Sequence, residues 1–145
     1  MTYEAGKMFK TPQDAEEAFY KAFAQCDIDA MMSIWNPVDY ISCIHPMGAE
    51  LAGPDKIRDS WIDVFANAPA ISFEITDQRT IQHEKIVIHT VHEHLHMTHQ
   101  PTREVQILAT NIYEQTENGW FMILHHASPA PKEETSPDTG GPSLH

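Results

Sequence analysis

The first part of the chain carries apolar residues at the spacing of an amphipathic helix. Thr11 is a residue type that caps helices, and Pro12 suits the first helical position. The pattern therefore predicts a helix of about four turns. Its apolar positions are Ala15, Ala18, Phe19, Ala22, Phe23 and Cys26.

A short helix, a strand and a third helix are predicted next. Asp27 can cap the second helix, which the breaker Asn36-Pro37 ends. Residues 39–45 are predicted to form a strand with Ile41, Cys43 and His45 on one face. The third helix is expected to begin at Gly53-Pro54-Asp55, because proline and an acidic residue favour a first turn.

The hydrophobic period changes from 3.6 to two after residue 70, which predicts four long strands as far as residue 128. Asn118-Gly119 is a hairpin signal between the last two. Helices followed by strands predict an α+β domain at 11–128, with the helices on one face of a strongly curved, mainly antiparallel sheet. A flexible leader is expected at 1–10, and a disordered tail at 129–145, which is rich in proline and polar residues.

Charge and cysteine content narrow the possible partners and compartment. The net charge of -12 opposes binding to nucleic acid or to anionic membranes, so neither is expected as a partner. Cys26 and Cys43 are interpreted as small core residues rather than a disulfide scaffold. With no apolar run typical of a secretory signal or a membrane span, the sequence predicts a cytoplasmic protein.

Several short motifs, in this order and spacing, resemble the nuclear transport factor 2-like superfamily, and within it SnoaL-like and ketosteroid isomerase-like proteins. The resemblance runs from about residue 12 to residue 128 and implies a cone-shaped fold with a small-molecule pocket. Its marks are Asp27-Ile28-Asp29, Trp35, His45-Pro46-Met47-Gly48, Gly53 with Ile57, Gly119-Trp120 and His125-His126-Ala127-Ser128.

The resemblance also suggests catalytic residues. His45 occupies a position similar to that of the aspartate base of ketosteroid isomerases, and an imidazole can exchange a proton near neutral pH. Asn111 aligns with the aspartic acid that stabilises their oxyanion. Their catalytic tyrosine would align with Phe19, which has no donor, while Tyr20 points about 100° away on a helix. Steroid isomerisation is therefore not predicted.

A two-residue turn at Asn118-Gly119 would place Asn111 opposite His126. Together with His45, these residues form the predicted catalytic cluster, for proton abstraction next to a carbonyl or addition of water without a cofactor or metal. A purely structural hydrogen-bond network is the alternative. The predicted ligand-binding residues are Phe19, Tyr20, Trp35, Trp61, Phe65 and Ser128.

Three histidines, His92, His94 and His96, alternate along one predicted strand. The outer two lie some 13 Å apart on an extended strand, so one metal ion cannot bind all three. A solvated or dimer-facing ladder is the preferred interpretation, with a metal site as the alternative.

Two classes of function remain open from the sequence. The first is a protein that binds a small, largely apolar, carbonyl-containing molecule, with or without isomerase or lyase activity. The second is a non-catalytic association module. In either case a homodimer is expected through the sheet face opposite the pocket, where Phe121 and Ile123 would lie beside Ile112.

Overall fold

The computed structural model describes residues 9–67, 71–97 and 100–131, and only the backbone of 100–103. The element order matches the prediction, with one additional two-residue strand. The helices are α1 (Pro12–Gln25), α2 (Ile28–Ile34) and α3 (Pro54–Asn67). The strands are β1 (Ser42–Ile44), β2 (Leu51–Ala52), β3 (Ile71–His83), β4 (Ile86–Met97), β5 (Gln100–Thr116) and β6 (Gly119–Pro129).

The first two helices begin where their capping residues predict. The Thr11 side chain accepts a hydrogen bond from the Asp14 amide at 3.0 Å, and Asp27 accepts one from the Ala30 amide at 3.0 Å. Cys26 ends α1 in a left-handed conformation with φ 54°. The two helices therefore meet at a tight corner, which directs both onto the same face of the sheet.

The strands form one sheet in the order β2-β1-β6-β5-β4-β3. The pair β1–β6 is parallel, and the other neighbouring pairs are antiparallel. Register shifts interrupt β3 between Thr76 and Arg79 and the β5–β6 pair between Ile112 and Tyr113. Such bulges increase strand bending, so the sheet curves around the helices as the predicted α+β cone requires.

The inner face of the sheet packs on an aromatic cluster from the helices. Phe19 and Trp61 are fully buried there, with ring centroids 5.6 Å apart. Facing them, the central strands present small or aliphatic side chains in alternation with outward polar ones. The inward set includes Val87, Val91, Ala109, Met122 and Ala127.

The register of the last hairpin differs from the prediction. Thr116 pairs with Gly119, so the turn is centred on Glu117 and Asn118, one residue earlier than expected. Beyond the β5–β6 bulge, Asn111 pairs with His125 instead of the predicted His126. The predicted pairing was wrong because a turn shift and a bulge together leave a net slip of one residue, which exchanges the two faces of the strand.

The outer face of the sheet carries a row of aliphatic residues across four strands. Ile88 of β4 pairs with Ile81 of β3 and with Ile112 of β5, which in turn pairs with Leu124 of β6. Ile123, predicted to lie on this face, packs instead against the inner core. We call Ile81, Ile88, Ile112 and Leu124 the outer aliphatic row.

The predicted leader and tail lie mostly outside the described residues. Within the leader, Phe9 packs against the core, and its carbonyl accepts a hydrogen bond from the Trp120 amide at 2.9 Å. At the other boundary, β6 continues to Pro129. None of the described helices is long and apolar enough to cross a membrane.

Candidate functional site

Polar side chains are buried in the middle of the cone, at inward-facing strand positions where the alternating pattern of the sequence predicts aliphatic residues. His89 of β4, Asn111 of β5 and His125 of β6 lie in one cross-strand row, since His89 pairs with Asn111 and Asn111 with His125. Helix α1 covers this row with Glu16 and Tyr20, which share a helix face at a spacing of four residues. We call the set the inner network: Glu16, Tyr20, His89, Glu93, Asn111, Tyr113 and His125.

The Glu16 carboxylate is the centre of the inner network. Its Oε2 accepts hydrogen bonds from Asn111 Nδ2 and from the Tyr113 hydroxyl, both at 3.0 Å. Its Oε1 lies 3.1 Å from His89 Nδ1, an ion-pair distance, although that contact does not complete a hydrogen bond. Burial acts to raise the pKa of Glu16, but the contacts with His89, Asn111 and Tyr113 outweigh it, and the pKa lies below its ordinary value. Glu16 is therefore ionised at neutral pH.

A second carboxyl group, Glu93, is paired with Tyr20. The Tyr20 hydroxyl lies 2.5 Å from Glu93 Oε2 and accepts a hydrogen bond from Asn111 Nδ2 at 3.1 Å. Burial raises the pKa of Glu93 to about 7, with the Tyr20 hydrogen bond opposing the shift and the charge of Glu16 adding to it. Burial, followed by the charge of Glu93, raises the pKa of Tyr20 well above its ordinary value. Glu93 is thus the group of this pair that titrates near neutral pH.

His125 and His45 lie on the helix α3 side of the network. His125 Nδ1 is 2.6 Å from Asn111 Oδ1, and because that oxygen is an acceptor, Nδ1 carries the proton. Burial, then the charges of His45 and His126, lower the pKa of His125 to about 3. His45 Nε2 is 2.9 Å from the hydroxyl of Ser60, and burial lowers the pKa of His45 as well. Both imidazoles are neutral at physiological pH.

The inner network reaches the surface at a cavity of about 410 Å³, which we call the mouth cavity. Glu16 and Tyr20 belong both to the network and to the cavity wall. Gln78 donates to Glu16 Oε1 at 2.5 Å across the wall. The lining residues are Gln13, Glu16, Glu17, Tyr20, Ile75 and Gln78. Most of these residues have a polar end group, two of them are acidic, and Ile75 is the aliphatic member.

A second cavity, of about 450 Å³, lies on the outer face of the sheet. His126, Ser128, Arg79 and His92 are among the residues that line it. In the same region His94 Nδ1 is 2.6 Å from Glu104 Oε2, and its Nε2 is 2.9 Å from the Thr76 hydroxyl. Within the described ranges, no three histidine, cysteine, aspartate or glutamate side chains are grouped so that they could hold a metal ion.

Comparison with known proteins places the chain in a family. The model of the SnoaL-like domain matches residues 13–132. The chain belongs to the SnoaL-like domain family. A structure from Thiobacillus denitrificans, provisionally assigned as a calcium/calmodulin-dependent protein kinase type II association domain, is 37% identical with a TM-score of 0.82. That similarity covers 86% of this chain and 99% of the other.

Two further relatives of this SnoaL-like domain are informative. A provisionally assigned dehydratase of the NTF2-like family from Streptomyces avermitilis is 29% identical, with a TM-score of 0.74 over 81% of this chain and 92% of its own. F-box protein SKIP8 of Arabidopsis thaliana is 26% identical over 110 residues, which are 76% of this chain. The chain spans 46% of that protein's length.

The residues predicted to form one catalytic cluster lie apart in this SnoaL-like domain. Asn111 is buried in the inner network, and His45 connects to it through Trp61, whose ring centroid lies 4.7 Å from that of His45 and 6.0 Å from that of His125. His126 is exposed on the outer face, so its predicted place beside Asn111 was wrong. The catalytic roles of His45 and Asn111 stay predictions.

The predicted ligand-binding residues are also divided. Tyr20 lines the mouth cavity, whereas Ser128 lines the outer-face cavity together with His126. The other four pack in the core or against it: Phe19, Trp35, Trp61 and Phe65. Trp35 and Trp61 bury their indole N–H groups without a hydrogen-bond partner among the described residues. Of the six predicted ligand-binding residues, only Tyr20 therefore lines the mouth cavity.

Sequence reasoning missed the carboxyl groups and three other members of the inner network. A signal was present on β4, where His89 and Glu93 alternate with apolar residues at positions that should face the core. A second signal was on α1, where Glu16 lies one turn before Tyr20 on the buried face. The missed residues are Glu16, His89, Glu93, Tyr113 and His125.

Proposed function

We propose that this SnoaL-like domain binds a small, uncharged, carbonyl-containing molecule in the mouth cavity. The observation that carries the proposal is that Glu16 and Tyr20 are at once members of the buried inner network and part of the cavity wall. A ligand in the cavity would therefore contact side chains whose hydrogen bonds are fixed by residues of β4 and β5. Such preorganised polar groups are typical of binding sites.

Filling the core with the inner network costs free energy that apolar side chains would not cost. Glu16 and Glu93 are each 2% exposed, and burying ionisable groups costs several kcal/mol unless their partners compensate. Apolar residues of similar volume would often be as stable or more so. Two buried carboxyl groups with perturbed pKa values beside a cavity of about 410 Å³ favour a functional role.

The chemistry of the wall narrows the ligand class. The carboxylates of Glu16 and Glu17 disfavour an anion, while the Tyr20 hydroxyl and the Gln13 amide can bond a carbonyl or hydroxyl oxygen. The Gln78 amide already donates to Gln13 and to Glu16. Ile75 offers an aliphatic surface for the carbon skeleton. Asn111 already donates to both Glu16 and Tyr20, so Tyr20 is the better candidate to contact a ligand oxygen. The similarity to a provisionally assigned dehydratase supports a small-molecule role.

The test is a titration of the isotope-labelled protein with small ketones and hydroxyketones, followed by backbone amide NMR. We expect shifts clustered at the mouth cavity. Ile75→Trp, which narrows the cavity, should weaken binding at least about tenfold, the effect of losing 1.4 kcal/mol. The control Ile81→Trp makes the same change on the same strand at an exposed outer position and should bind normally. Shifts confined to other surfaces, or equal binding by both variants, would refute the proposal.

Self-association is the second candidate function, and it does not exclude the first. One observation favours it: the relative with 37% identity is provisionally assigned as an association domain and is covered over 99% of its length. The outer aliphatic row supplies a sheet surface on which a second copy could pack. Its test is the oligomeric state in solution.

A further inference from the structure

The Tyr20 hydroxyl can be either a donor or an acceptor toward the mouth cavity, depending on Glu93. It has one hydrogen and two lone pairs. One lone pair accepts from Asn111 Nδ2 at 3.1 Å, and Glu93 Oε2 lies 2.5 Å from the hydroxyl oxygen. Tyr20 is 7% exposed and lines the cavity, whereas Glu93 is 2% exposed behind it. Glu93 therefore acts on a ligand only through Tyr20.

We propose that Glu93 sets the hydrogen-bond polarity of the mouth site. The site binds a carbonyl oxygen when Glu93 carries a proton, and it binds a ligand hydroxyl that donates its hydrogen when Glu93 is ionised. This inference rests on the proposed function, since it assigns a ligand class to the same cavity. Glu93 is then a specificity-determining residue that positions the Tyr20 proton. Tyr20 is the residue that contacts the ligand.

The two states follow from counting hydrogens. When Glu93 is ionised, the Tyr20 O–H donates to the carboxylate, and the oxygen keeps one lone pair for a ligand donor. When Glu93 is protonated, its own O–H donates to the Tyr20 oxygen. That oxygen then accepts two hydrogen bonds, from Glu93 and Asn111, and its hydrogen is released toward the cavity. A ketone oxygen has no hydrogen to donate, so it is bound well only in the second state.

The surroundings of Glu93 allow both states near neutral pH. Among the described residues, the titratable groups that face it are Tyr20 and Glu16 of α1 and Tyr113 of β5. Its cross-strand partners, Ile75 of β3 and Ile107 of β5, are aliphatic and offer it neither a charge nor a hydrogen bond. Its neighbours His92 and His94 lie on the opposite face of β4. Burial among these groups raises the pKa of Glu93 to about 7.

The experiment compares two ligands of similar size, cyclohexanone and cyclohexanol, by NMR titration of the full chain at pH 6 and pH 8. The ketone requires the protonated state, so its dissociation constant should rise about tenfold between these pH values for a midpoint of about 7. Cyclohexanol can both donate and accept, so its affinity should change by less than about twofold. A ketone affinity independent of pH would overturn the inference and leave the proposed function standing. Failure of both probes at both pH values would overturn the two together.

Three variants separate the polarity effect from general damage to the site. Glu93→Gln has no titrating group here, so the pH dependence of the ketone should disappear. Tyr20→Phe should remove both the pH dependence and the difference between ketone and alcohol. Glu74→Gln, the same substitution at an exposed position of β3, should keep the tenfold change. Loss of the pH dependence in Glu74→Gln, or its persistence in Glu93→Gln, would contradict the assignment.

A measurement without ligand completes the test. Carbon NMR of the glutamate carboxyl groups, assigned by comparison with Glu93→Gln, should show one midpoint near 7. In Tyr20→Phe that midpoint should rise, because the tyrosine hydrogen bond lowers the pKa of Glu93. A Glu93 midpoint near the ordinary pKa of 4.5, or one unmoved in Tyr20→Phe, would refute the coupling whatever the ligands do.

Discussion

Glu93 and His125 are both buried in the cone, but burial moves their pKa values in opposite directions. A carboxyl group is charged after losing its proton, so burial raises the pKa of Glu93 to about 7. An imidazole is charged after gaining one, so burial lowers the pKa of His125 to about 3. Both groups are thereby kept neutral over much of the acid range. The consequences for stability have opposite signs: Glu93 destabilises the fold as pH rises, and His125 destabilises it as pH falls.

Replacing Glu93 with glutamine should stabilise the protein more at high pH than at low pH. The folded pKa of about 7 exceeds the ordinary value of 4.5, so the contribution of Glu93 is complete below 4.5 and is lost as pH rises through 7. From pH 5 to pH 8 this loss amounts to roughly 2 to 3 kcal/mol. The difference in unfolding free energy between Glu93→Gln and wild type, measured with urea, should grow by that amount.

Comparing Glu93→Gln with wild type cancels the pH dependence of the unfolding free energy that His125 contributes, because both proteins contain His125. Glu74→Gln changes the same charge at an exposed position and should show no such growth. If the advantage of Glu93→Gln were equal at pH 5 and pH 8, Glu93 would not titrate as a buried carboxyl group.

At the scale of elements, the helices could be predicted from single residues, whereas the last hairpin could not. Thr11 and Asp27 cap the first two helices as expected, because a capping side chain acts on an amide only two or three residues away. The register of β5 and β6 depends instead on a turn and a bulge, and neither has a strong pattern in the sequence. That one-residue slip turned His126 outward and brought His125 to Asn111, so the candidate site was predicted only in part.

The hairpin turn explains why Asn118-Gly119 was misleading. A two-residue turn at this pair would need positive φ at both positions, but only Gly119 has it, with φ 108°. The turn therefore runs through Glu117 and Asn118, with Gly119 as the first residue of β6. The Thr116 hydroxyl holds this turn, donating to the Gly119 carbonyl at 3.0 Å and accepting from the Asn118 amide at 2.9 Å.

Gly119→Ala should destabilise the protein by roughly 1 to 3 kcal/mol, since a side chain is strained at this backbone conformation. Asn118→Ala is the matched control: its φ is not positive, its side chain is exposed, and the change should stay within about 0.5 kcal/mol. Urea unfolding of both variants measures the difference. Equal stability of the two would mean that the turn relaxes into another conformation.

At the scale of the whole molecule, the outer aliphatic row would be an exposed apolar surface if the domain were a monomer. Ile81 is 58% exposed, and its row continues through Ile88, Ile112 and Leu124 across four strands. Phe121, predicted for this face, lies on β6 three residues before Leu124. A contiguous aliphatic row on a sheet is typical of a covered surface. The expected cover is a second copy of the chain, and the homodimer remains a prediction.

Ile112→Lys should convert such a dimer to monomer, because it places a charge in the middle of the outer aliphatic row, where a two-fold axis would bring two copies together. Burying an unpaired lysine in each copy costs several kcal/mol, enough to raise a micromolar dissociation constant beyond measurable association. Ile62→Lys introduces the same charge on α3, where Ile62 is 40% exposed, and should leave the assembly intact. Light scattering coupled to size exclusion at micromolar concentration gives the mass of each protein. A monomeric wild type, or a dimer that survives Ile112→Lys while Ile62→Lys disrupts it, would place any association away from the outer aliphatic row.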